Sequence, residues 1–159
     1  MSDFFYRILS RITGYFAFGV LFGLYALSTN IEIKDLDLWL HLKMGKFIME
    51  HWFIPHVDVL SCSIAGKSWI NHEWLFQVVV YAIKNLWGFD GLITMQVVVV
   101  LFTVAILLFL GYHPQRQALV IFVLLLVLFN YQMRFTIRPD IFSLLFFALY
   151  MQILSMKLP

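Results

Sequence analysis

Apolar positions run almost unbroken in four places along the chain, and polar ones gather in a single segment between the first run and the second. Ile12 to Ile31 carries no charged residue, Gly91 to Tyr112 is uncharged between Asp90 and His113, and Ala118 to Met133 and Ile141 to Met156 are two further uncharged runs. A helix needs about 20 apolar residues, and no fewer than about 17, to cross a hydrocarbon core of about 30 Å. The pattern therefore predicts an all-α polytopic membrane protein with four transmembrane helices, over about 12–31, 91–112, 118–133 and 139–156, in a single membrane domain 1–159. The last two sit near the lower length limit.

Residues 32–90 follow a different pattern. From Asp37 to about His51, Lys43, Lys46 and Glu50 share one helical stripe, while Asp37, His41, Met44 and Ile48 share the opposite one, which predicts a helix with its Asp37 side turned inward. A second helix is predicted from about His72 to Trp87, with Asn71 as N-cap, Glu73 in its first turn and Gly88 just past its end. Ile54 to Asp58 and Ser61 to Ser68, containing Pro55 and Gly66, read as loop. Seven of the nine acids, four of the five histidines and all five tryptophans lie in this segment. Tryptophan favours the headgroup level of a bilayer, so both helices are expected to be juxtamembrane, lying in the plane of the membrane surface.

Composition agrees with a membrane protein: 62% of the 159 residues are hydrophobic, 13% are charged and the mean hydropathy is +0.88. The formal charge of +2, without a basic run or basic-aromatic stripe, argues against nucleic acid as a partner. Cys62 is the single cysteine, which rules out an internal disulfide and a Cys-rich metal site. Arg7 and Arg11 precede the first run, and Ala26-Leu27-Ser28 loosely resembles a cleavage site, but the run is long and rich in Phe and Tyr and reads as a retained span. Its Gly19-Val-Leu-Phe-Gly23 is a GxxxG pair that lets another helix approach closely. Arg7, Arg11, Arg116 and Lys157 fall on one side of the four spans, which places both termini in the cytoplasm and the 32–90 loop outside.

Candidate chemistry gathers on that outer face. Aspartates at i and i+2 point to the same side of an extended segment, so Asp35 and Asp37 are candidates for binding a divalent cation such as Mg²⁺ or Mn²⁺ through oxygen, or for a base. The plainer reading makes Asp37 a helix cap and leaves Asp35 solvated. Arg134 and Arg138 fall on the same face, where guanidinium groups hold phosphate oxygens in a planar fork or snorkel to lipid headgroups. His41 lies four residues after Asp37 on one helical face, and His72 with Glu73 is an adjacent acid–base pair; no spacing among the histidines matches a zinc pattern.

Taken together, Asp35-Leu-Asp37-Leu-Trp-Leu-His41-Leu-Lys-Met-Gly45, Ile54-Pro55-His-Val-Asp58, Trp69-Ile-Asn71-His72-Glu73-Trp74-Leu and Arg138-Pro139-Asp140-Ile-Phe-Ser143 resemble the N-terminal part of bacterial membrane proteins related to GT-C glycosyltransferases. The resemblance covers most of the chain from Ile12 onward. It implies a first span, a long outer loop with two juxtamembrane helices, and an acidic site just after the span. The implied reaction is transfer of a sugar from a polyprenyl-phosphate donor to an acceptor at the outer surface of the bacterial cytoplasmic membrane. By position, Asp37 matches the acidic residue of the family, with Asp35 as its candidate partner; Arg138 and Arg134 are expected phosphate contacts on the physical grounds above rather than as family residues, and His41, His72 and Glu73 are further candidate substrate contacts. GT-C enzymes have about seven spans in their common module, whereas four are predicted here. The expectation is a piece of a longer enzyme, a subunit completed by another chain, or a non-catalytic scaffold subunit on the same frame, each in contact with membrane lipids.

The topology makes a direct prediction: a membrane-impermeant maleimide added to intact cells should label Cys62. Protection of Cys62 until the membrane is permeabilised would put the 32–90 loop on the cytoplasmic side.

Overall fold

A computed structural model of the chain describes residues 2–29, 35–111, 116–131 and 136–157, with side chains over 14–29, 35–111, 116–130 and 136–156. The described residues form five helices and no strand: α1 (Ser2–Thr29), α2 (Asp37–His51), α3 (Trp74–Gly111), α4 (Gln117–Tyr131) and α5 (Asp140–Lys157). An isolated antiparallel bridge joins Val57 to Ser68 in the loop before α3. The fold is all-α, as the periodicity predicts.

The number of crossings is not carried by helix length. Among the described side chains, α3 alone is long and apolar enough to cross a membrane; Gln117–Asn130 and Asp140–Met156 are apolar but shorter, and the side chains of the 28-residue α1 are described only over its apolar part Gly14–Thr29. At 1.5 Å per residue the 15 residues of α4 reach only about 22 Å, short of a core of about 30 Å. Lack of charge along a run does not by itself fix where a helix ends.

A second difference concerns α3. The surface helix expected to stop at Trp87 and the span expected from Gly91 form one 38-residue element, broken only at Gly88, whose φ of 69° and ψ of −160° are non-helical. Glycine is suited to that conformation, and it occupies the position predicted for the stop. The element begins at Trp74 rather than His72.

Contacts group the chain into two compact units. The first holds Met1–Glu32, Met95–Thr136 and Asp140–Pro159. Its core is Leu21 and Tyr25 of α1, Val100, Val104 and Leu108 of α3, and Leu124 and Leu128 of α4. Two buried polar side chains there reach backbone: the Tyr25 hydroxyl donates to the Leu124 carbonyl at 2.8 Å, and Gln96 Nε2 donates to the Thr29 carbonyl at 3.3 Å, whereas Gln152 Oε1 of α5 is buried without a hydrogen-bond partner. Such pairing matters, because an unpartnered buried polar group costs about 1–3 kcal/mol.

The second unit holds Ile33–Thr94 and Ile137–Pro139. Here α2 lies on the start of α3, burying Leu38, His41, Leu42, Met44, Gly45 and Ile48. The inward face is as expected except at its beginning, where Asp37 is exposed. Lys43, Lys46 and Glu50 are on the outside, and Lys46 Nζ is 3.6 Å from Glu50. Asn71 does not serve as the expected N-cap; its side-chain amide donates to Gln77 Oε1 at 2.7 Å inside the unit. The closest approach of the two helices is at Gly45, where an added Cβ would lie 2.0 Å from the Gln77 carbonyl oxygen.

Gly45→Ala should therefore force α2 off α3 and destabilise the unit by about 1–3 kcal/mol, the usual range for overpacking. Gly23→Ala, whose Cβ meets nothing within 4 Å, should leave stability unchanged. Thermal melting of both variants in detergent checks the contrast, and equal melting temperatures would count against the packing at Gly45.

Candidate functional site

The second unit brings together residues far apart in sequence. Asp35 stands just before α2, where its Oδ1 accepts a hydrogen bond from the Asp37 N–H at 3.0 Å. Asp35 thus satisfies a free N–H at the helix start, the role expected of Asp37, and a carboxylate at a helix N-terminus is favoured by the helix dipole. Leu36 at the N-cap position makes no side-chain capping bond.

Arg138 arrives from the turn before α5. Its Nε donates to Asp35 Oδ2 and its Nη2 to Asp35 Oδ1 at 3.0 Å, a two-pronged pair. The same Nη2 lies 3.0 Å from Asp37 Oδ2. The side chain of Asp35 is only 5% exposed, against 45% for Arg138 and 61% for Asp37. Ile137 beside it is buried, which seats residues 137–139 in this unit. The cluster is thus a buried carboxylate, a half-exposed guanidinium and an exposed carboxylate in contact.

This arrangement does not suit the expected Mg²⁺ or Mn²⁺ at Asp35 and Asp37. Both carboxylates direct oxygens at a guanidinium, whose positive charge stands where a cation's would. Among the described residues no three His, Cys, Asp or Glu side chains converge as a metal-ligating group.

The remaining expected residues form a second cluster, of one carboxylate and two imidazoles. His41 Nδ1 is 3.7 Å from Glu73 Oε2, and His72 Nε2 is 3.9 Å from Glu73 Oε1. The His41 side chain is 5% exposed, its ring meets the Phe76 ring edge-on at 5.1 Å, and its Nδ1 has no hydrogen-bond partner. Burial pushes the His41 pKa down; the nearby negative charges of Glu73, Asp37 and Asp35 oppose the shift, and Arg138 adds to it. His41 is therefore a neutral, buried imidazole facing a carboxylate. Arg134, the other expected phosphate contact, lies outside the described residues.

Between α2 and α3 the chain forms a hairpin-like loop. Asp58 accepts from the N–H groups of Leu60 and Ser61, each at 2.9 Å, and hydrogen bonds from the Ser61 side chain and from these backbone groups hold its carboxyl below the ordinary range. The two ends of the loop, near Trp52 and near Trp74, border an open cleft that the sequence reading did not identify. A separate apolar cavity of about 240 Å³ lies in the first unit, lined by Tyr25, Val104, Leu107, Leu144 and Phe147. Comparison with protein families, with curated proteins and with solved structures finds no match for this chain.

The buried His41 makes stability depend on pH. Its pKa is lowered in the folded chain, so the unfolded chain binds the proton first as pH falls. The stability present above pH about 6.5 is lost as the pH drops from there towards the lowered folded value, with a slope of at most about 1.4 kcal/mol per pH unit. Melting temperatures of the wild type and of His41→Gln between pH 7.5 and 5 should diverge in that window, the variant being less acid-sensitive. Parallel curves would remove His41 as the titrating group.

Proposed function

We propose that this chain is part of a GT-C-like membrane glycosyltransferase that moves a sugar from a polyprenyl-phosphate donor to an acceptor at the extracytoplasmic face of the bacterial cytoplasmic membrane. The observation that carries this reading is the Asp35–Arg138–Asp37 cluster. It joins two of the four motifs on which the family resemblance rests, and it places a solvent-facing carboxylate against a half-exposed guanidinium.

In this reading α3 crosses the bilayer, and α1, α4 and α5 complete the four-span frame, the bilayer thinning around the shorter helices. Both termini are cytoplasmic, and a further chain or further spans supply the rest of the donor site. Asp37 takes the proton of the acceptor hydroxyl. The oxygen then attacks the anomeric carbon, and the bond from that carbon to the phosphate oxygen breaks, its electron pair leaving with polyprenyl phosphate. Arg138 stabilises the charge on the departing phosphate and Asp35 fixes the plane of the guanidinium. Glu73, His72 and His41 border the acceptor, and Arg134 is a second phosphate contact. The apolar cavity of the first unit has the chemistry of an isoprenoid-chain site.

A second reading, a non-catalytic scaffold subunit of a membrane complex, is favoured by α1. Nothing lies within 4 Å of a Cβ built at Gly19 or at Gly23, so the GxxxG face is open to another helix.

One experiment separates the two. Asp37 is exposed, so Asp37→Asn should fold normally while lowering sugar transfer in membranes supplied with a radiolabelled polyprenyl-phosphate sugar by about 10²–10⁴-fold, the range for removing a general base. Unchanged transfer would dismiss the catalytic role. The scaffold reading instead expects Gly19→Leu with Gly23→Leu to release a co-purifying protein while Asp37→Asn has no effect.

A further inference from the structure

The ends of the loop between α2 and α3 enclose an open cleft of about 640 Å³ lined by Trp52, Phe53, His56, Ile70, Asn71 and Trp74 among others. Its apolar side chains are presented rather than packed: Trp52 is 91% exposed, Ile70 79%, Phe53 52% and Trp74 40%. One exposed polar side chain, His56, stands at the same rim; Asn71 is buried and spends its amide on Gln77.

Trp52 adds a second, independent observation. With φ of 57° and ψ of 28° it is in the left-handed region, the one non-glycine residue with positive φ among the described residues. That conformation ends α2, where glycine is usual and any other side chain costs about 1–2 kcal/mol. A ring exposed to this degree recovers little of that cost by packing. Strained, exposed residues of this kind cluster at ligand sites.

We propose that this cleft binds a carbohydrate, as the site for a sugar ring of a glycan acceptor. A pyranose carries C–H groups on its faces and hydroxyls around its edge, which matches exposed aromatic rings beside the exposed His56 better than a lipid chain would. The cleft is also continuous along the chain with the candidate site: Asn71 and Trp74 flank His72 and Glu73, and Glu73 faces His41. The cleft's role as an acceptor site rests on the glycosyl-transfer reading; its affinity for sugar does not.

The test uses the full chain in lauryldimethylamine oxide, a detergent without a sugar headgroup, titrated with chitotetraose, cellotetraose, maltotetraose and mannotetraose while tryptophan emission is followed. At least one saccharide should shift the emission saturably. Trp52→Ala should weaken that binding about tenfold or more, as expected for a Trp anchor, while Trp87→Phe should leave it unchanged. The proposal is overturned if none of the four perturbs the wild type, or if Trp52→Ala binds as the wild type does. It is also overturned if a variant with Trp52 as its only tryptophan is quenched by brominated phospholipid in nanodiscs and not affected by saccharide, which would make the cleft a membrane anchor. Saccharide binding retained in Asp37→Asn, with no sugar transfer by either chain, upholds the cleft and removes the glycosyl-transfer reading instead.

Discussion

Asp35 is a buried carboxylate, and its compensating charge comes from Arg138, 103 positions along the chain. A charge taken out of water without a partner costs several kcal/mol, and removing one partner of a buried ion pair typically costs about 3–5 kcal/mol. By comparison, an exposed helical pair such as Lys46–Glu50 contributes about 0.3–0.5 kcal/mol. The Asp35–Arg138 pair therefore decides where the turn before α5 sits. With Ile137 buried beside it, the pair seats residues 137–139 on the unit that contains α2. The position of Asp37 follows, because the guanidinium fixed by Asp35 is the group that Asp37 meets.

A cluster of charges keeps its geometry only if the helices beneath it are fixed, and in this unit the fixing is steric. Gly45 lets α2 come against the backbone of α3 at Gln77, and the buried Asn71–Gln77 hydrogen bond ties the entry of α3 to the same place. His41, Leu38 and Met44 fill the face between. His41 is thus both packing and chemistry: its ring abuts Phe76, while its unpartnered Nδ1 faces Glu73.

Local pattern made some of this legible in the sequence. The 3.6-residue period located α2 with both its ends and its buried stripe of His41, Met44 and Ile48. Gly88 marked the break in α3 because few other residues take its backbone conformation. The period misled at Asp37, which continues the inward stripe on a helical wheel yet lies in the first turn, where the partner helix no longer covers it and Asp35 is buried instead. Nothing local in Asp35-Leu-Asp37 distinguishes the buried acid from the exposed one; the difference comes from Arg138. The cleft at Trp52 was missed for a related reason. A tryptophan in a segment rich in tryptophan reads as a membrane-surface residue, and only its backbone angles set it apart. Helix length among the described side chains supports one crossing rather than four, because absence of charge does not fix where a helix ends.

The formal charges around the site bear on the proposed function through how a charged ligand would approach. Asp35 and Asp37 together outweigh Arg138 by one negative charge, and Glu73 adds a second beside a His41 kept neutral by burial. An anionic phosphate entering over Asp37 or Glu73 would meet repulsion, so the favourable path is along the exposed part of the Arg138 guanidinium. A neutral glycan is not subject to that repulsion, and its hydroxyls are natural donors to the oxygens of Asp37 and Glu73. Asp35 then has a role beyond stability. By taking two of the hydrogen bonds of Arg138, it holds the guanidinium where Asp37 Oδ2 meets it.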